Sequence, residues 1–134
     1  MVMSIGNGIV KKIVRVLVAA PWVDAAFIMG SAARGTSRAD SDFDLAILPV
    51  NTATFTVFDR VSLAVQIEEL VGCPVDIGIL DHKNLVYAKE AYLTGRNIYC
   101  REPFRCGLFG ATALGLYAEL REARKEVENA YQTG

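Results

Sequence analysis

Histidine is nearly missing from this chain: only His82 occurs in 134 residues, together with three widely spaced cysteines. No ligand set with zinc spacing surrounds Cys73, Cys100 or Cys106, so a His/Cys metal centre is excluded. An odd cysteine count without a CxxC pair reads instead as reduced core or interface thiols of a cytoplasmic protein. An excess of one charge is lacking too. Fourteen basic against 15 acidic residues leave a net charge of −1, which excludes a broad electrostatic grip on nucleic acid. A single nucleotide remains possible, because one phosphate site needs only local groups. No apolar run is long enough to span a bilayer. The nearest follows Lys11-Lys12 and is interrupted by Arg15, so it reads as an amphipathic helix rather than a signal peptide. Repeats, low-complexity segments and linkers are absent as well.

What is present is a chain that is 52% hydrophobic and 22% charged, the balance of one globular domain. Ile9, Val10, Ile13, Val14, Leu17 and Val18 share one helical face, and Pro21 ends that helix. VDAAFIM (23–29) and DFDLAIL (42–48) read as strands, the second stopped by Pro49. A long helix capped by Asn51 or Thr52 is expected to carry Phe55, Phe58, Val61, Val65 and Leu70 and to end near Gly72. VDIGIL (75–80) is a third strand, 83–94 a helix, RNIYC (96–100) a short edge strand, and the stretch after Pro103 one long helix or two short ones. The order α-β-β-α-β-α-β-α predicts a single α+β (α/β-like) domain over 1–134, a small mixed sheet with helices packed on it. Its core would run from about 8 to 101, with a helical segment over about 103–131.

The chemistry concentrates in GSAARGTSRADSDFDL (30–45), where Asp40, Asp42 and Asp44 crowd behind a Gly-Ser turn. Gly30 permits close approach to the main chain, and Ser31 with the following N–H groups could cradle a phosphate; a plain turn is the alternative. Asp42 and Asp44 are two apart at a strand start, so both face one side while Phe43 faces the other. Two carboxylates so placed suit one hard cation, although solvated acids at a strand edge would look the same. Asp76 lies in an otherwise apolar strand, where a charge needs a partner. It can join the Asp42/Asp44 face if its strand pairs beside theirs, or form a salt bridge to Arg34 or Arg38. Gly78 would leave that face open beside the site. Asp81-His82 reads as a helix start or, alternatively, as a catalytic dyad.

Gly30-Ser31, ten residues, then Asp42-Phe43-Asp44 resembles the GSx10DxD signature of the polymerase-beta nucleotidyltransferase superfamily, with Asp76 in the place of its third carboxylate. More narrowly, GSAARG, DSDFDL and LTGRNIY (93–99) are similar to the minimal nucleotidyltransferase (MNT) antitoxins paired with HEPN-domain toxins. The resemblance implies transfer of AMP from ATP to a hydroxyl. Asp42, Asp44 and Asp76 would hold Mg²⁺, as two ions, with Asp76 also helping to take the proton. Gly30 and Ser31 would hold the triphosphate, and Arg34 would anchor the nucleotide or acceptor, unless it only pairs with Asp40 or Asp42. The implied acceptor is a tyrosine of a cognate HEPN toxin. Two other readings are a small-molecule (aminoglycoside-type) adenylyltransferase and an antitoxin that neutralises its partner by binding alone.

GLFGATALGLYA (107–118) carries no charge. A helix apolar all round must be covered on two sides, by its own core and by a partner or second copy, unless it is wholly buried. The alternating charges from Glu119 to Glu128 read as an ordinary solvated helix end.

Overall fold

The computed structural model describes residues 6–30, 42–51 and 54–133. Four helices and four strands follow the expected order: α1 (Asn7–Val18), β1 (Val23–Ile28), β2 (Phe43–Pro49), α2 (Val57–Val71), β3 (Val75–Ile79), α3 (Leu85–Thr94), β4 (Arg96–Cys100) and α4 (Pro103–Thr133). The sheet order is β3-β2-β1-β4. β1 pairs antiparallel with β2 and β4, while β2 and β3 run parallel, joined through α2.

Alternation along the strands divides the core into two layers. Phe43, Leu45 and Ile47 of β2 pack with Ile13 and Leu17 of α1 and Leu63 and Ile67 of α2. Ala46 and Leu48 point the other way and pack with Ala88 and Ala91 of α3 and Cys106 and Ala113 of α4. Each strand therefore has one face per layer, and a residue's parity fixes which helices it meets. Arg101, just past β4, fastens the sheet to the end of α1: its Nε donates to Val23 O at 2.9 Å and its Nη2 to Ala20 O at 3.0 Å and Val18 O at 3.3 Å. Carbonyls left open at a helix C-terminus are thereby satisfied by a cation.

α2 corrects the sequence expectation. Its cap is Thr56, whose hydroxyl accepts from Asp59 N while Asp59 Oδ2 accepts from Thr56 N. Phe55 thus precedes the helix and stacks on Trp22 at 4.9 Å. The buried face is Leu63 and Ile67, with Ala64, Leu70 and Val71 partly covered. Phe58, Val61 and Val65 stay 78%, 54% and 48% exposed. Apolar residues occur on both sides of this helix, so periodicity alone could not say which side meets the sheet.

α4 is a single unbroken helix. It buries Cys106, Gly110 and Ala113, and leaves Phe104, Leu108 and Leu116 exposed. The uncharged segment is therefore covered by its own fold on one side only. Among the described residues, no helix is long and apolar enough to cross a membrane.

Candidate active site

Parallel pairing puts Asp44 directly opposite Asp76, between the pairs Phe43–Val75 and Leu45–Ile77. Phe43, Leu45 and Ile77 belong to the α1/α2 layer, so both aspartates stand on the α3/α4 face, at the end of the sheet where β2 and β3 begin. The conditional expectation, that Asp76 joins the Asp44 face if the two strands pair, is met. Burying a charge in an apolar strand proves not to be the problem it looked. β3 is an edge strand and Asp76 is solvent-exposed, as is Asp42.

Gly30 follows β1 at the same end. Met29 N donates to Asp44 O at 2.9 Å. The next residue then turns at φ +65°, and a Cβ there would stand 3.4 Å from Asp44 Oδ2. A left-handed backbone against a carboxylate is a position suited to glycine. Ser31, Arg34, Arg38 and Asp40 lie outside the described residues.

Electrostatically the row is unbalanced. The Asp44 carboxyl is raised above its ordinary value, first by burial, then by the charge of Asp76, then by that of Asp42. Asp42 also helps raise the Cys73 thiol, after burial. Neither ion pair found among the described residues involves Asp76. Nor do any three Asp, Glu, His or Cys side chains there close into a group that could hold a metal. The three aspartates are neighbours at one end of the sheet with side chains still apart. As an all-oxygen set under mutual repulsion, they fit a hard divalent cation in chemistry.

Two residues that the sequence did not flag border this row. Gly78 does not leave the face open. Tyr87 of α3 fills it, and a Cβ at 78 would meet Tyr87 Cζ at 2.6 Å and Cε2 at 2.9 Å. Its phenol is pushed up to about 12 by burial, then by Asp76 and Asp44, with Arg60 acting in the opposite sense. It therefore stays a hydroxyl donor at any physiological pH. Arg60 of α2 wraps the sheet edge and donates from Nε and Nη2 to Ile77 O, the former at 2.9 Å. A glycine inside an apolar strand was the available signal, since it marks a close approach by another group. Which group approaches was not legible.

His82 lies at the far end of β3, stacked on Phe109 with ring centroids 4.3 Å apart. Asp81 accepts from Lys83 N at 2.8 Å and Asn84 caps α3, as the helix-start reading has it. At that end too, buried Asp24 takes both Nε and Nη2 of Arg105, at 3.0 and 2.8 Å, a pair the sequence did not announce.

Comparison with known proteins agrees with this geometry. A model of the family described as Polymerase beta, Nucleotidyltransferase matches residues 11–104. No curated protein sequence matches. Among solved structures, a chain of a toxin–antitoxin complex with AMP-PNP superposes with a TM-score of 0.73 at 22% identity, covering 92% of this chain and 98% of that one. A chain from the tri-AMPylated Shewanella oneidensis HEPN toxin in complex with MNT antitoxin superposes at 0.70 with 19% identity, covering 94% and 98%. Identity this low shows a shared fold, and that fold extends over α4 as well as the sheet.

Proposed function

This chain belongs to the polymerase beta nucleotidyltransferase family, and from that membership we propose that it transfers AMP from ATP to a hydroxyl, as an antitoxin acting on a tyrosine of a cognate HEPN toxin. The observation that carries the reading is the pairing of Asp44 with Asp76 beside the left-handed Gly30. It supports a site where phosphate oxygens, cation and acceptor meet at the open end of the sheet.

In the proposed reaction the acceptor oxygen attacks the α-phosphorus of ATP. A new O–P bond forms, the bond from that phosphorus to the β-phosphate bridging oxygen breaks, and pyrophosphate leaves. Asp76, exposed on the edge strand, takes the phenolic proton. Asp42 and Asp44 would hold Mg²⁺ together with Asp76. When bound, the ions neutralise phosphate charge and make a phenol of ordinary pKa near 10 acidic enough to react. Gly30 turns the main chain toward the triphosphate, which Ser31 and Arg34 would grip. The nucleotide-bound and AMPylated states of the two superposed complexes favour a protein acceptor over a small molecule.

Intact-mass spectrometry of a candidate HEPN partner, incubated with this protein, ATP and Mg²⁺, tests the reading. Mass gain in steps of one AMP is expected, abolished by EDTA and by Asp42→Asn/Asp44→Asn. Neutralisation of the partner with no mass gain would replace it with an antitoxin that works by binding. Pyrophosphate release driven by aminoglycosides, with the partner unmodified, would replace it with a small-molecule enzyme.

A further inference from the structure

Two tyrosines of α3 pack toward the sheet, and only one of them has its hydroxyl engaged. Tyr92 Oη donates to Cys106 O at 2.7 Å. Tyr87 is half-buried, its backbone N held by Asn84 Oδ1 at 3.3 Å, yet its Oη has no hydrogen-bond partner among the described residues. That oxygen reaches solvent, because no buried side-chain oxygen there lacks a partner. The packing uses the Tyr87 ring, which lies against the α3/α4 layer in the room that Gly78 leaves. Phenylalanine would fill the same room without a polar atom to satisfy.

Register fixes where the hydroxyl stands. Asp76 and Gly78 are two apart on β3 and so share a face; Ala46 pairs with Gly78 as Asp44 pairs with Asp76. Tyr87 Oη is the first atom that a Cβ at 78 would meet. It therefore lies beside the aspartate row, displaced by two residues or about 6.6 Å of strand. Asp76 and Asp44 are the charges that act on it most.

The row also has two distinct sides. Gly30, at the end of β1, adjoins Asp44 on one side, and Asp76 of β3 adjoins it on the other. In phosphoryl transfer the attacking and leaving oxygens are roughly in line across phosphorus. With the triphosphate at Gly30, pyrophosphate leaves toward the β1 side. The attacking hydroxyl then enters from the β3 side, at the open edge of the sheet, where Asp76 and Tyr87 stand.

We propose that Tyr87 is a further catalytic residue, whose Oη donates a hydrogen bond to the acceptor oxygen as that oxygen attacks. The role rests on the AMP-transfer reading above. The acceptor hydroxyl sits between two groups: it gives its proton to Asp76 and accepts from Tyr87 through one lone pair, leaving another for phosphorus. The bond from Tyr87 strengthens as negative charge grows on the attacking oxygen. A lysine ammonium has no lone pair to accept it, so the arrangement selects a hydroxyl acceptor over an amine.

The test compares the wild type with Tyr87→Phe, which keeps the ring over Gly78. Single-turnover AMP transfer to the candidate HEPN partner, read by intact mass, should slow by about 10²-fold. Affinity of the chain alone for AMP-PNP with Mg²⁺, by titration calorimetry, should stay within about twofold, the mark of an interaction made in the transition state. The melting temperature should not fall. Equal transfer rates in the two proteins would overturn this role and leave the proposed function standing. Loss of AMP-PNP affinity in proportion to the rate would overturn it by assigning the hydroxyl to the nucleotide, and a lowered melting temperature by assigning it to the fold. A wild type that transfers no AMP overturns the proposed function, and this role with it.

Discussion

Asp44 is the residue on which the fold and the proposed function pull in opposite directions. Its carboxyl is raised in the folded chain by burial and by Asp76 and Asp42. The folded state therefore holds this proton to higher pH than the unfolded state does. Linkage then gives a contribution to stability that is full below the unfolded carboxyl pKa and is lost as pH rises through the folded one. At neutral pH ionised Asp44 works against the fold. Asp44→Asn should accordingly raise the melting temperature at pH 7 and flatten its acid-side pH dependence, while lowering nucleotidyl transfer by at least about 10²-fold. Mg²⁺ should raise the melting temperature of the wild type more than that of the variant in paired thermal scans. Gly78 and Tyr87 form a second residue-scale case. Gly78→Ala should cost about 1–3 kcal/mol, because the new methyl meets the Tyr87 ring. Combined with Tyr87→Ala it should cost less than the two single changes added, a coupling that urea denaturation of the four proteins would measure.

At the scale of elements, the ends of the helices decide more than their middles. Thr56 and Asp59 set where α2 begins and leave Phe55 outside the helix. Thr56→Ala should cost about 1 kcal/mol in urea denaturation, because Asp59 N loses its side-chain acceptor. α4 is seated by the Arg105 fork on Asp24, which is only 3% exposed. Arg105→Met should lower the denaturation midpoint by stranding a buried carboxylate, and Asp24→Asn in the same chain should restore part of it. A midpoint unchanged by Arg105→Met would mean that water replaces the guanidinium. The exposed stripe on α2, Phe58, Val61 and Val65, remains apolar surface for which the fold supplies no cover.

For the whole molecule, the sheet, α1 to α3 and the first half of α4 form the folded unit, and the end of α4 adds little to its stability. Of the described residues, truncation after Glu119 removes the half-covered Leu120 and the exposed run 121–132. It should leave the melting temperature nearly unchanged in calorimetry, whereas loss of the α4 segment from Pro103 onward should not, since Cys106 and Ala113 belong to the core. The aspartate row and the exposed end of α4 thus occupy separate parts of one chain.

The sequence by itself determined the element order and the Gly30–Asp44 signature with its family resemblance. These rest on local chemistry: Pro21 ends a helix, β-branched runs mark strands, and a two-residue carboxylate spacing at a strand start holds in any tertiary setting. It also made the Asp44–Asp76 row conditional on one fact, that the second and third strands are neighbours. Only the tertiary structure decided that fact. It also decided which side of α2 is buried, that Tyr87 rather than open space lies over Gly78, and that Arg105 meets Asp24 across the fold. Each of these is a contact between residues distant in the chain, fixed by packing and register, for which no short-range pattern carries a signal.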